Sequence, residues 1–172
     1  MKFILIGKAG AGKDTVADYL ALAYGFFGYA FADKLKQIAQ ELYHYEWEND
    51  RRKLLQDLGA ALRTINSNVL IDYVFNAISN YDDRSVITDC RYKKEYDKAL
   101  KEGFITIKVE CNDVVRGERI YHRDGRYMTT GERNHISEQI DVECDYTLDN
   151  NGSFDDLYSQ IDALIYRIAE GG

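Results

Sequence analysis

An α/β fold, with a central parallel sheet of about five strands and helices on both faces, is predicted by three features of the sequence. Short β-rich apolar runs alternate with segments of helical periodicity along most of the chain. The first of these runs passes directly into a glycine-rich loop and then a helical pattern. No proline and no low-complexity linker divides the 172 residues, and a 45% hydrophobic content is enough for one sizeable core. Residues 1–172 are therefore expected to form a single domain with two excursions from the sheet. One is a helical block at about 33–81; the other is an arginine-rich stretch at about 116–134.

The elements follow in order. Met1 to Ile6 is an apolar strand ending at Gly7, and Thr15 to Tyr24 carries apolar residues at helical spacing. A further strand is expected near Gly28 to Phe31. Asp33 to Tyr43 and Arg51 to Ser79 repeat apolar positions every three or four residues, with Gly59 and the Asn66, Ser67, Asn68 cluster as expected breaks. Ser85 to Thr88 reads as a strand, Lys93 to Glu102 as a helix closed by Gly103, and Phe104 to Glu110 as another strand. Asp145 to Leu148 completes the strands. The turn cluster Asp149 to Ser153 then opens an amphipathic helix from Phe154 to Ala169.

The loop Gly7-Lys8-Ala9-Gly10-Ala11-Gly12-Lys13 fits GxxxxGK, the phosphate-binding P-loop, and lies between a strand and a helix as that function requires. Its glycines let backbone N–H groups turn inward to phosphate oxygens, and the positive end of the next helix adds to the attraction. A dinucleotide-binding turn would show GxGxxG and no lysine. Lys13 is expected to reach the β- and γ-phosphates of ATP, with Gly7 to Thr15 as the binding segment. Asp14 stands where most P-loops place a Ser or Thr for Mg²⁺. Its carboxylate is either a ligand of that ion, directly or through water, or a cap on the helix N-terminus.

A second carboxylate, Asp89, ends the strand Ser85 to Thr88, a position suited to ordering Mg²⁺ or the acceptor. Arg91, two residues on, offers a planar guanidinium for an acceptor phosphate. Between Arg116 and Arg133 five arginines face three acids, a local excess of positive charge in a chain of net charge −7. Arg116, Arg119 and Arg123, three and four apart, share a helical face, and a glycine-bearing loop follows; this looks like a cationic lid over a transferring phosphoryl group. In the helical block, Arg63 is the candidate anchor for an acceptor phosphate, with Gln56 one face away and Lys34 and Lys36 upstream.

Composition excludes some classes. The acidic balance argues against a nucleic-acid groove, which is held by neutralising many phosphates. The longest apolar run at the amino end, Phe3 to Ile6, is too short for a membrane span or a signal peptide, so a cytoplasmic protein is expected, in the host cytoplasm if phage-encoded. Cys90, Cys111 and Cys144 lack metal-site spacing and read as buried thiols in a reducing compartment. With no NKxD segment for guanine, a nucleotide switch is a weaker reading than a kinase, whose acceptor the P-loop leaves open. A homodimer is compatible with all of this.

Several stretches together resemble the phage-type deoxynucleoside monophosphate kinases, a branch of the P-loop nucleoside monophosphate kinases related to phosphomevalonate kinase. They are Gly12 to Thr15, Phe31 to Lys36, Leu55 to Gly59 with Arg63, Asp89 to Tyr92 with Glu95, His135 to Glu138, and Asn151 to Ser153. The family also carries Asp after the P-loop lysine. The resemblance implies an ATP- and Mg²⁺-dependent phosphotransferase acting on a nucleoside monophosphate, with Lys13, Arg116, Arg119 and Arg123 neutralising the transferring group. It implies Mg²⁺ at Asp14 and Asp89, acceptor contacts at Lys34, Gln56, Arg63, Asp89, Arg91 and Glu138, and the turn Asn150 to Gly152, with Asn151 and Gly152 as its binding residues, near the adenine. Lys94 departs from the Asn that family members often carry before the Glu of the Asp-x-Arg segment.

Overall fold

The computed structural model describes residues 1–43, 51–81, 84–133 and 140–171. By contact density the chain divides into a sheet unit, Met1–Gly28 with Arg84–Gly172, and a helical unit, Tyr29–Asp83.

In the sheet unit, β1 (Lys2–Ile6) leads through the glycine loop into α1 (Lys13–Tyr24), which Gly25 ends in a left-handed turn at φ 69°. β2 is Phe27–Tyr29 and β3 is Ser85–Ile87. After α5 (Lys93–Lys101) come β4 (Ile105–Glu110), α6 (Asp113–Asp124), the short α7 (Thr130–Arg133), β5 (Tyr146–Asp149) and α8 (Phe154–Glu170). The helical unit holds α2 (Phe31–Tyr43), α3 (Arg51–Ile65) and α4 (Val69–Tyr81).

The five strands form one sheet in the order β2-β3-β1-β4-β5. β1 pairs in parallel with β3 and β4, and β4 pairs in parallel with β5. As the middle strand, covered on both faces, β1 must be apolar throughout, and Phe3 to Ile6 are all buried. Phe3 and Leu5 point into a core that includes Val16 and Leu20 of α1 and Leu157, Ile161 and Leu164 of α8. Each such side chain contributes roughly 2 kcal/mol by leaving water. Parallel pairing also gathers the loops after β1, β3, β4 and β5 at one edge of the sheet, where α/β folds bind ligands.

Most expected elements lie within two residues of their predicted bounds, and β2 begins at Phe27. α1 begins two residues earlier than its apolar pattern, because Lys13 and Asp14 are already helical. One expectation is corrected: α3 runs unbroken through Gly59, and only Asn66 to Asn68 interrupts the helices. A Cβ at Gly59 would lie 3.1 Å from Leu35 Cδ1 and 2.8 Å from Arg63 Nη1, so the glycine marks close packing within the helical unit.

Candidate active site

Gly7 to Gly12 connect the end of the buried central strand to the head of α1. Gly10 and Gly12 adopt φ 77° and 99°, conformations that side chains with a Cβ rarely reach. Space forbids a Cβ as well: at Gly10 it would meet Arg116 O at 2.9 Å, and at Gly12 it would overlap Asn150 Nδ2 at 2.0 Å. The Lys13 residue is only 7% exposed, and its ammonium donates to Gly7 O at 2.6 Å and Lys8 O at 3.2 Å. A buried cation thus lies folded along the inner rim of a loop built for anions.

Asp14 is exposed in the first turn of α1, and Thr15 is half-buried behind it. Asp89 lies two residues beyond β3. The register pairs Ile4 with Ile87, so the chain at Asp89 leaves the sheet at the level of the end of β1. Its neighbour Cys90 is 1% exposed, and burial, then Glu95 and Asp89, push its thiol far above the ordinary range, while Lys13 opposes them. Cys90 is thereby a packed thiol and not a nucleophile. The expectation of buried thiols is met at Cys90 and corrected at Cys111 and Cys144, which are half-buried. Glu95, 2% exposed, accepts from the backbone N–H groups of Arg91 at 2.8 Å and Tyr92 at 3.0 Å. That carboxylate sets the turn which presents Asp89 and Arg91. Both are partly exposed.

The α6 arginines have distinct surroundings. Asn112 caps α6 by accepting from Val115 N at 2.9 Å. Arg116 donates from Nη1 to Ala9 O at 2.8 Å and is paired with Asp113 at 2.9 Å. Arg119 donates from Nη2 to Asn150 O at 3.1 Å and from Nη1 to Cys111 Sγ at 3.5 Å. Arg123 pairs with Asp124 at 2.7 Å, and its side chain is 57% exposed. Arg126 forms a two-pronged bridge to Glu132, with both N–O distances 2.9 Å. Arg126 first, then hydrogen bonds from Thr129, hold the Glu132 carboxyl down at about 2 against the contrary pull of burial. Ala9, Ile120 and Met128 pack together beneath this segment, seating it on the phosphate loop.

A cavity of about 640 Å³ lies beside the loop, bounded by Lys8, Ala11, Glu110, Asn112, Arg116 and Asn151 among others. Asn151 Oδ1 accepts from Asn112 N and Nδ2, both at 2.8 Å, which joins the turn after β5 to the end of β4. Gly152 is exposed, and a Cβ there would lie 2.7 Å from Asp156 Oδ2. In the helical unit, Lys34 lies over the Tyr73 ring at 5.5 Å, while Gln56 and Arg63 occupy one face of α3 with Gly59 between them. Glu138 lies outside the described residues.

Gly7 to Thr15, Asp89, Arg91, Arg116, Arg119 and the Asn151–Gly152 turn thus all belong to the sheet unit. Lys34, Gln56 and Arg63 belong to the helical unit. Asn150 and Glu95 are both buried polar residues; the sequence suggests only a place in the adenine-side turn for the first and no role for the second. Asn150 had a faint signal, as the second of three polar residues before the glycine of a helix-opening turn. Glu95 had the N3 position of α5, where an acid commonly bonds back to the N-terminal amides.

Asp14 and Asp89 offer hard oxygen donors of the kind Mg²⁺ takes, and both are partly or fully exposed, leaving room for its waters. No group of three or more acid, His or Cys side chains placed to hold a metal ion occurs among the described residues. The donor set therefore fits an ion held by one or two carboxylates plus phosphate oxygens.

A lysine-ended glycine loop at the carboxyl end of the central strand, in a parallel sheet of this order, defines the P-loop kinase fold. The chain belongs to the AAA domain family AAA_18, which matches residues 4–141. A protein of Acanthamoeba polyphaga mimivirus that carries the provisional name deoxynucleotide monophosphate kinase is 28% identical over 91% of this chain and 92% of its own length. Among solved structures, a gluconokinase from Sinorhizobium meliloti 1021 superposes with a TM-score of 0.59 at 19% identity, covering 99% of this chain and 94% of that one. Shikimate kinase from Acinetobacter baumannii, in complex with shikimate, gives 0.59 at 16% identity, covering 96% and 93%. At such identities the two structures establish the fold. No helix among the described residues is long and apolar enough to cross a membrane.

Proposed function

We propose that the protein transfers the γ-phosphoryl group of ATP to a nucleoside monophosphate, with deoxynucleoside monophosphates as the acceptor class. The observation that carries this reading is the juxtaposition, on one sheet edge, of the lysine-ended phosphate loop after β1 with the Asp89-x-Arg91 turn after β3. The first is built for a triphosphate, and the second pairs a carboxylate with a guanidinium suited to a phosphorylated acceptor. The full-length similarity to the mimivirus protein favours the deoxynucleotide.

In this reading the loop amides and Lys13 hold the β- and γ-phosphates, and Arg116, Arg119 and Arg123 add positive charge around the transferring group. Mg²⁺, held by Asp14 and Asp89, would supply further neutralisation of phosphate charge. An acceptor phosphate oxygen attacks the γ-phosphorus in line as the bond to the bridging β–γ oxygen breaks, leaving ADP and a nucleoside diphosphate. Arg91 orients the acceptor phosphate; Lys34, Gln56 and Arg63 are proposed as acceptor contacts of the helical unit. Asn151 and Gly152, beside the cavity, are proposed for the nucleoside end of ATP.

A panel assay tests this. ADP release is followed with ATP and Mg²⁺ against the ribo- and deoxynucleoside monophosphates, with gluconate and shikimate included because the fold also serves proteins named for those acceptors. Turnover with a deoxynucleoside monophosphate well above the no-acceptor rate is expected. Turnover confined to gluconate or shikimate would replace the acceptor, and none with any acceptor would remove the kinase reading.

A further inference from the structure

A loop that turns its N–H groups inward to phosphates must turn carbonyl oxygens outward, and each of those needs a donor if it is buried. The donors can be followed around the loop. Gly7 O and Lys8 O accept from the Lys13 ammonium, Lys8 O also from Ala11 N at 3.2 Å, and Gly12 O from Val16 N at 3.1 Å. Two carbonyls are served by side chains from distant segments. Ala9 O accepts from Arg116, and Ala11 O accepts from Asn150 Nδ2 at 2.8 Å.

Asn150 is built in for this task. It is 2% exposed, and its own N–H donates to Glu110 O at 2.8 Å, fixing it to the end of β4. Its Nδ2 fills the space over Gly12 where a Cβ would stand. Arg119 Nη2 donates to its backbone O at 3.1 Å and approaches its Oδ1 at 3.4 Å. One end of this side chain thus faces a carbonyl, which only accepts, and the other faces a guanidinium, which only donates. An amide satisfies both. A carboxylate would set oxygen against oxygen at Ala11, and an apolar side chain would leave Ala11 O without this donor while Arg119 kept the backbone carbonyl of residue 150.

We infer that Asn150 is a positioning residue for the phosphate loop, oriented in turn by Arg119. It acts by holding the Ala11–Gly12 peptide outward so that the inward amides stay aimed at phosphate, and it makes no contact with the transferring group. Its bond does not depend on Lys13. When that ammonium leaves Gly7 O and Lys8 O for a phosphate, the loop keeps its shape through Asn150 and Arg116. The inference rests on the reading of Gly7 to Lys13 as an ATP phosphate site, and leaves the acceptor open.

Asn150→Asp preserves size, the backbone bond to Glu110 and the acceptor facing Arg119, while replacing the donor at Ala11. Calorimetric titration with ATP and Mg²⁺ is expected to show binding weakened about tenfold or more. The KM for ATP should rise by a similar factor, with the acceptor KM within about twofold of wild type. Asn150→Ala, which omits the donor without opposing Ala11 O, should show the same split with a smaller loss, and thermal unfolding of each variant monitors folding. Wild-type ATP affinity in both variants, or equal rises in both KM values, would overturn the inference. If wild type binds ATP but phosphorylates no acceptor, the proposed function fails and this inference stands; if wild type does not bind ATP, both fail.

Discussion

Lys13 sits where one positive charge has its greatest leverage on turnover, at the inner rim of the phosphate loop and at the head of α1. Lys13→Met keeps the length and apolar stem while removing the charge. Loss of one well-placed cation in a preorganised site costs about 10²–10³ in rate. The expected result is therefore a kcat lowered by that factor in a variant whose unfolding temperature moves by only a few degrees; unchanged kcat would detach the loop from the chemistry. At this scale the sequence was most legible where backbone demands are harshest. Gly10 and Gly12 are glycines because φ and space both require it, so the loop could be read residue by residue. Asn150 was not legible in the same way. Its partners Ala11 and Arg119 lie far from it in the chain, and nothing in local pattern distinguishes a clamp from the polar turn residues on either side.

Among the elements, the segment after α6 is braced by charge as well as by packing. Arg126 and Thr129 converge on Glu132 and depress its folded-state pKa from an ordinary 4.5 to about 2. A depressed carboxylate contributes its stabilisation fully above the unfolded pKa, and loses it as pH falls from about 4.5 towards about 2. Hydrogen-exchange protection of residues 126–133 should fall across that window in the wild type. In Glu132→Gln it should already be reduced at pH 7 and change little with pH; identical profiles would show that the bridge does not order this segment. Arg126 is 56% exposed, so added salt should weaken the effect.

α3 carries a second test at this scale. Gly59→Ala raises helix propensity by about 1 kcal/mol, but its Cβ would press on Leu35 and on the Arg63 guanidinium. Stability should change little, while displacement of Arg63 raises the acceptor KM about three- to tenfold and leaves the ATP KM unchanged. An unaltered acceptor KM would remove Arg63 from the acceptor contacts. Gly59 also shows how a glycine misleads: local propensity reads it as a helix break, whereas packing within the helical unit uses its missing side chain.

For the molecule as a whole, the central place of β1 follows from pattern, because Phe3 to Ile6 are apolar without alternation, as a strand covered on both faces must be. The turn after β5 was legible as a turn, since Ser153 and Asp156 form a reciprocal cap at the head of α8. Its links to Asn112 and to the phosphate loop arise only when parallel pairing brings β4 and β5 side by side. The division into a sheet unit carrying the proposed donor site and a helical unit carrying proposed acceptor contacts also separates what is most general from what is most particular. The phosphate loop specifies a triphosphate and is shared across the fold; the acceptor is where relatives of this fold carry different names. The most direct measurement is therefore the fate of the phosphoryl group itself. With γ-labelled ATP, Mg²⁺ and a deoxynucleoside monophosphate, the account predicts label in the β-phosphate of the deoxynucleoside diphosphate, in equal amount to the ADP formed. Label appearing only as inorganic phosphate, or remaining in ATP, would contradict it.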